Sequence, residues 1–190
     1  MIATPAAGNA VVAGVDWVAD NGCFNAAAYP GDDAYLKWLT ARLPFVNRCG
    51  FAVAPDVLCD AAATLERSAP MLRRMRRLGY PVALVAQNGL EHMTVPWDEF
   101  DVLFLGGDTA WKLGASARSL TAQARQRGKR VHCGRINSHR RLAYAHQIGC
   151  QSADGTYLAF GPDINLPKLL RWLRVVNQQG FLFNEWEINA

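Results

Sequence analysis

Acidic, amide and glycine residues with the capacity for chemistry recur in five short motifs, and each motif follows an apolar run. The motifs are Ala19-Asp20-Asn21-Gly22-Cys23-Phe24, Ala54-Pro55-Asp56, Val85-Ala86-Gln87-Asn88-Gly89, Leu105-Gly106-Gly107-Asp108 and Cys150-Gln151-Ser152-Ala153-Asp154-Gly155. The apolar runs have the length of β-strands, so the polar groups fall at successive strand ends. An α/β barrel builds its active site from groups at these positions.

The elements that must position these motifs alternate along the chain between apolar runs and amphipathic helical stretches. Strands are predicted at Val11–Val18, Phe51–Ala54, Pro81–Ala86, Asp101–Leu105, Arg130–Cys133 and around Ser152–Asp154. Helices are predicted at Asp33–Leu43, from Asp60 toward Leu78, and at Thr109–Arg127, Ser138–Ile148 and Leu166–Val176. Unbroken apolar runs between helices are typical of parallel strands that are buried on both faces.

This rhythm predicts a TIM-barrel-like α/β fold, either compact or incomplete, with parallel strands. A full eightfold barrel takes about 250 residues, and this chain has 190, so an open doubly wound sheet is the alternative. We expect one catalytic domain over residues 1–190. Residues 1–10 are predicted to be a loose tail. Residues 178–190 are predicted to pack on the body or against a second copy in a homodimer.

Composition limits the classes of protein and site that the chain can represent. Apolar residues make up 51% of the chain and charged residues 19%, as in folded globular proteins. No apolar run has the length of a membrane span, and we expect a cytoplasmic protein. The five cysteines are scattered without a C-x-x-C pair, which predicts reduced thiols and no structural zinc. No metal or cofactor is predicted. The net charge of +4 permits a nucleic-acid partner without requiring one.

The order of the motifs resembles the tRNA-guanine transglycosylase superfamily, in particular its DNA-acting branch. That branch contains 7-deazaguanine DNA transglycosylase-like proteins and phage-defence DNA glycosylases. The family's Asp-Ser-Gly-Gly-Phe-Gln motif corresponds to Asp20-Asn21-Gly22-Cys23-Phe24-Asn25. The segment Gly149-Cys150-Gln151-Ser152-Ala153-Asp154 fits the motif that carries the family's nucleophile. The cysteine-rich zinc subdomain of tRNA-acting members is missing, which favours DNA over tRNA.

The resemblance implies that two carboxylates cleave an N-glycosidic bond. Asp154 would stabilise or trap the oxocarbenium-like sugar, and Asp20 would transfer the proton. The base-binding residues would be Asn21, Asp56, Gln87, Gly106 and Gly107. On spacing alone, Asp20 and Asp154 also suit turns. Asp56 also suits a helix cap, and Gln87 a surface loop.

Residues close to the strand ends are predicted to contact a DNA strand. They are Trp111, Lys112, Arg135, Asn137 and Arg140. An aromatic ring there can stack on an extruded base, and cations there can contact phosphates. The alternative is ordinary packing for the tryptophan and solvated helix faces for the basic clusters.

The sequence therefore predicts an enzyme that excises a modified nucleobase from DNA and leaves an abasic site, in defence against phage. Exchange of guanine for a 7-deazaguanine in DNA or tRNA is the first alternative. A non-catalytic nucleic-acid-binding domain is an alternative of another class. A barrel that handles the phosphate of a metabolite would use the Gly106-Gly107 turn and Arg135.

Overall fold

The computed structural model describes the backbone of residues 1–187 and the side chains of residues 1–178. Its strands form one parallel sheet whose order follows the chain. They are β1 (Ile2–Ala3), β2 (Trp17–Ala19), β3 (Cys49–Val53), β4 (Val82–Ala86), β5 (Val102–Leu105), β6 (Arg130–Cys133) and β7 (Ser152–Ala153). All five residues of β4 are buried, because a central parallel strand is covered on both faces.

Helices cover the outer face of the sheet. They are α1 (Asp32–Thr40), α2 (Ala61–Arg77), α3 (Thr109–Lys112), α4 (Ala115–Gln126), α5 (His139–Ile148) and α6 (Pro162–Glu187). The larger apolar core lies between these helices and the sheet, where Leu84 and Leu103 are fully buried. Asp60 caps α2, accepting a hydrogen bond from the Ala63 N–H at 3.0 Å. Ser138 caps α5 in the same way.

The sheet curls until strands that are not neighbours touch inside it. The Phe51 ring of β3 lies 5.1 Å from the His132 ring of β6, measured between centroids. A second apolar cluster, which includes Val53 and Val85, fills this interior. Within residues 1–187, β1 pairs only with β2 and β7 only with β6, so the barrel stays open between β1 and β7. The predicted incomplete (β/α) barrel is confirmed.

Several element boundaries differ from the sequence prediction. Of the run Val11–Val18, only Trp17 and Val18 pair as a strand, which continues to Ala19. Residues Ile2–Ala3 join the sheet as β1, so this part of the predicted loose tail is ordered by backbone pairing. The predicted long helix at Thr109–Arg127 is two helices. They separate at Gly114, whose backbone is extended.

The last helix begins earlier than predicted, at Pro162, and Pro167 lies within it rather than in its first turn. The predicted packing of residues 178–190 lies outside the described side chains. No helix within residues 1–187 combines the length and apolarity needed to cross a membrane.

Candidate functional site

A cavity of about 440 Å³ opens where the parallel strands end. The predicted site residues that line it are Asp20, Asn21, Asp56, Gln87, Gly106, Arg135, Asn137 and Asp154. They come from the segments that follow six different strands, and the curl of the sheet brings them together. The volume falls in the range of small-molecule sites, about 300–1,000 Å³.

Asp56 is held from both sides by buried amides. Its Oδ1 accepts a hydrogen bond from Asn21 Nδ2 at 2.9 Å, and its Oδ2 accepts one from Gln87 Nε2 at 2.7 Å. The second Asn21 Nδ2 hydrogen goes to the Ala54 carbonyl. Burial raises the pKa of Asp56, and the two amide donors oppose that rise. The amides therefore fix the carboxylate at the cavity wall, in place of the helix cap that was the alternative.

Gln87 is 1% exposed and forms a bridge rather than a surface loop contact. Its Oε1 accepts from the Cys59 N–H at 2.9 Å, which fixes the direction of the amide. One Nε2 hydrogen goes to Asp56, and the described side chains offer no acceptor for the other. The cavity wall therefore presents a carboxylate next to an unused N–H donor.

Asp20 lies in the same cavity, and its Oδ1 accepts from the Gly22 N–H at 3.1 Å. Burial is the largest cause of a raised pKa at Asp20, and the negative charges of Asp154 and Asp56 add to it. A carboxyl group with a raised pKa stays protonated to higher pH than a free carboxyl group, and its protonated form can donate a proton.

Asp154 shows the opposite behaviour. Burial alone would raise its pKa. A hydrogen bond to His132 Nε2 at 3.1 Å and one from the Arg135 N–H at 2.8 Å outweigh burial, and the pKa is lowered. The buried ammonium group of Lys112 also favours the ionised form. Two carboxyl groups in one cavity are thus driven toward different protonation states.

Arg135 adopts a left-handed backbone conformation, with φ of 61°, which is uncommon for a residue with a Cβ. This conformation aims its N–H at Asp154 while its guanidinium donates to the carbonyl oxygens of Gly106 and Gly107. The guanidinium carbon also lies 4.7 Å above the centroid of the Phe24 ring. Strain of this kind often accompanies functional sites. Here it places a cation at the mouth of the cavity.

Gly106 and Gly107 act through their lack of a side chain. Both N–H groups donate to the Ala86 carbonyl, so they are not available to a ligand. A Cβ on Gly106 would collide with the Val85 side chain, and one on Gly107 would lie 2.6 Å from Asn88 Oδ1. Gly106 lines the cavity and Gly107 does not.

The other predicted DNA contacts divide into two groups. Asn137 lines the cavity, and its Oδ1 accepts from the Thr156 N–H at 2.8 Å. Trp111, Lys112 and Arg140 do not line it. The Trp111 indole donates to Glu91 at 2.9 Å, and Lys112 Nζ donates to the Gly134 carbonyl at 2.7 Å.

Two residues near the cavity were missed by the sequence prediction. Phe24 lines the mouth and is 65% exposed. His132 is 3% exposed and contacts Asp154 from below. The available signal for Phe24 was its place directly after the Asp20 motif. For His132 it was a lone imidazole in an apolar strand, two residues before Gly134.

The sequence matches no protein-family model and no curated protein. Its fold is similar to that of the Bacillus subtilis YkuI protein, which has an EAL domain and was solved with its substrate c-di-GMP and calcium. The two share 15% identity and a TM-score of 0.52 over 90% of this chain. This chain spans 45% of the YkuI chain, less than half its length.

Two further solved structures are more distant. A PaMucR phosphodiesterase in complex with c-di-GMP has 12% identity and a TM-score of 0.48, covering 75% of this chain and 60% of its own. Klebsiella pneumoniae BlrP1, with calcium and cyclic di-GMP, has 13% identity and a TM-score of 0.46, covering 75% and 38%.

The YkuI structure contradicts the family and the function that the motifs suggested. Its similar fold belongs to a protein with an EAL domain, not to a member of the transglycosylase superfamily. The prediction of a DNA glycosylase or a transglycosylase in phage defence is corrected accordingly. The same correction applies to DNA as the partner, since the ligand in the YkuI structure is a small nucleotide.

The calcium in the YkuI structure raises the question of a metal site in this cavity. The carbonyl oxygens of Asn21 and Gln87 already accept backbone N–H groups, and both carboxylate oxygens of Asp154 accept hydrogen bonds. Among the described residues, no three His, Cys, Asp or Glu side chains converge in a set that could hold a metal ion.

Proposed function

We propose that the cavity binds a small guanine nucleotide, with c-di-GMP as the first candidate. The observation that carries the proposal is the position of the Asp56 carboxylate beside Gln87 Nε2 at the cavity wall. One Nε2 hydrogen is donated to Asp56, and the other has no hydrogen-bond acceptor among the described residues. Guanine presents two N–H donors and a carbonyl acceptor along one edge, and this wall offers the complementary acceptors and donor. Adenine presents an unprotonated ring nitrogen there, which the carboxylate would repel.

The mouth of the cavity supports the same ligand class. The Arg135 guanidinium can attract a phosphate group, and the exposed Phe24 ring beside it offers a face on which a base can stack. Both residues line the cavity together with Asp56. A base at the wall and a phosphate at the mouth account for the coexistence of acidic and basic groups in one cavity.

The proposal is tested by titration calorimetry of the full chain against c-di-GMP, GMP and c-di-AMP, with a chelator present. We expect c-di-GMP and GMP to bind and c-di-AMP to bind at least about tenfold more weakly, a difference of about 1.4 kcal/mol. Asp56→Asn should lose the preference for guanine. Asp60→Asn is the matched control, because Asn also caps a helix and Asp60 lies outside the cavity.

Binding should also depend on pH in a definite direction. Because burial raises the pKa of Asp56, acidification protonates this group and removes an acceptor for guanine. Affinity is therefore expected to fall as pH falls toward the acidic range, and to fall less in Asp56→Asn. Equal affinity for guanine and adenine dinucleotides, or no binding of either, would overturn the proposal.

Hydrolysis of the bound phosphodiester is a second candidate function, and the opposite pKa directions of Asp20 and Asp154 favour it. Ionised Asp154 would accept a proton from a water whose oxygen forms a bond to phosphorus. Protonated Asp20 would give its proton to the 3′ oxygen as the P–O bond breaks. The product from c-di-GMP would be a linear dinucleotide with a 5′ phosphate.

This second function is tested by chromatography of c-di-GMP after incubation with the protein in EDTA. We expect the linear product with the wild-type chain and none with Asp154→Asn or Asp20→Asn, while both variants still bind the nucleotide. Turnover that appears only when a divalent cation is added would refute the acid–base scheme.

A further inference from the structure

His132 lies below the cavity floor in the barrel interior, where the mechanism above does not use it. Its ring is between Phe51 and Phe104, with centroid distances of 5.1 and 4.7 Å. The side chain is 4% exposed. A buried imidazole among aromatic rings must satisfy both ring nitrogens with hydrogen bonds.

Both nitrogens find partners, and both partners belong to the segment that β7 begins. Nδ1 lies 2.8 Å from Ser152 Oγ, and Nε2 lies 3.1 Å from Asp154 Oδ2. Strands β6 and β7 pair His132 with Ser152 in register, so these contacts follow directly from the parallel ladder. The short edge strand thereby carries both the serine and the carboxylate.

The partners decide which nitrogen carries the proton. An ionised carboxylate accepts hydrogen bonds and cannot donate them, so Nε2 must carry a hydrogen that points at Asp154. In the neutral ring Nδ1 then accepts from the Ser152 hydroxyl. Hydrogen bonds therefore link the Ser152 hydroxyl, the His132 ring and Oδ2 of Asp154 in series. The other carboxylate oxygen of Asp154 accepts a hydrogen bond from the Arg135 N–H.

We propose that His132 is a positioning residue, fixed by Ser152, that keeps Asp154 ionised and oriented toward the cavity. This inference assigns a role to a residue outside the cavity wall, and its link to catalysis depends on the proposed hydrolysis. The other charged groups near this carboxylate are Lys112 from α3, Arg135 after β6 and Asp20 after β2. Among the side chains of residues 1–178, only His132 is hydrogen-bonded to Oδ2.

The test is an NMR titration of carboxyl-labelled aspartate in the nucleotide-free protein, with Asp154→Asn to assign the signal. We expect His132→Gln to shift the pKa of Asp154 upward, because the variant loses the fixed imidazole N–H that donates to Oδ2. Ser152→Ala should cause a smaller shift in the same direction. Ser152 lies on the exposed edge strand, so this variant stays informative if His132→Gln does not fold.

His92→Gln is the matched control, because the His92 side chain is 82% exposed and therefore lies at the surface and not in the barrel interior. It should leave the titration of Asp154 unchanged. An Asp154 titration in His132→Gln and Ser152→Ala that equals the wild-type curve would overturn the inference. This readout needs no nucleotide, so failure of the nucleotide proposal is distinguished from failure of the role given to His132.

If the phosphodiester is hydrolysed, the pH profile gives a second readout. The reaction needs ionised Asp154, so a raised pKa should move the acid limb of the rate profile to higher pH in His132→Gln. A uniform loss of rate at every pH, without movement of that limb, would indicate a merely structural role and contradict the inference.

Discussion

Replacing Asp20 by Asn should stabilise the fold at neutral pH while removing hydrolysis. Burial and the negative charges of Asp154 and Asp56 raise the pKa of Asp20, which means that its ionised form is unfavourable in the folded state. Asn removes the charge. Its side-chain carbonyl can still accept the Gly22 N–H hydrogen bond that Asp20 Oδ1 accepts at 3.1 Å.

The gain follows from linkage between protonation and folding. The pKa of Asp20 in the folded state exceeds its ordinary value of 3.8, so between these two values the folded chain binds more protons than the unfolded chain. The wild-type chain therefore loses stability as pH rises from the ordinary pKa to the raised one. The loss is complete above the raised pKa. We expect Asp20→Asn to be more stable by about 0.5–2 kcal/mol at pH 7, the usual range for stabilising changes that sacrifice function. The gain should vanish near pH 4.

The assay is urea unfolding followed by tryptophan fluorescence at several pH values. A thermal scan gives a second measurement. In a chain of this length, an increase of about 1 kcal/mol in the free energy of unfolding raises the unfolding temperature by roughly 2–4 °C. The control is Asp98→Asn, because Asp98 is exposed and should change stability by less than about 0.5 kcal/mol. Destabilisation of Asp20→Asn at pH 7, or a gain that is equal at all pH values, would refute the reasoning.

Three further predictions concern the scaffold. Gly107→Ala should lower the free energy of unfolding by about 1–3 kcal/mol through overpacking, because the new Cβ would lie 2.6 Å from Asn88 Oδ1 and from a carbon of the Trp111 ring. An unchanged midpoint of urea unfolding would contradict this. Leu84→Ala should cost about 2–5 kcal/mol, since Leu84 is fully buried in β4, and a loss below 1 kcal/mol in the same assay would show that the site collapses. Asp60→Ala should cost about 0.5–2 kcal/mol through the lost cap of α2, whereas Asp60→Asn should cost almost nothing; equal losses in both would argue against capping.

The barrel could be predicted because a parallel strand that is buried on both faces requires a continuous apolar run, which is visible in the sequence. The run Val82–Ala86 reads as a strand buried on both faces, and it is one. The separation of α3 from α4 at Gly114 was harder to predict from the sequence, because α4 begins without a side-chain cap and its start depends on tertiary packing. The same holds for β1, whose two residues pair only because β2 lies beside them.

The gathering of polar residues could also be predicted, but their contacts could not. Strand-end position places Asp20, Asp56 and Asp154 near one another, and all three line the cavity. That Asn21 and Gln87 turn their N–H groups toward Asp56 depends on the backbone N–H groups that occupy their oxygens. Short motifs of acids, amides and glycines suit many barrels, which explains why they suggested a family that the structural neighbours contradict.

The central claim is that the wall formed by Asp56 and Gln87 recognises guanine in a small nucleotide. Calorimetric titration of the wild-type chain with c-di-GMP and with c-di-AMP, in EDTA at pH 7.5, tests it most directly. The account predicts saturable binding of the guanine dinucleotide and at least about tenfold weaker binding of the adenine dinucleotide. Equal affinities, or no heat from either ligand, would contradict it.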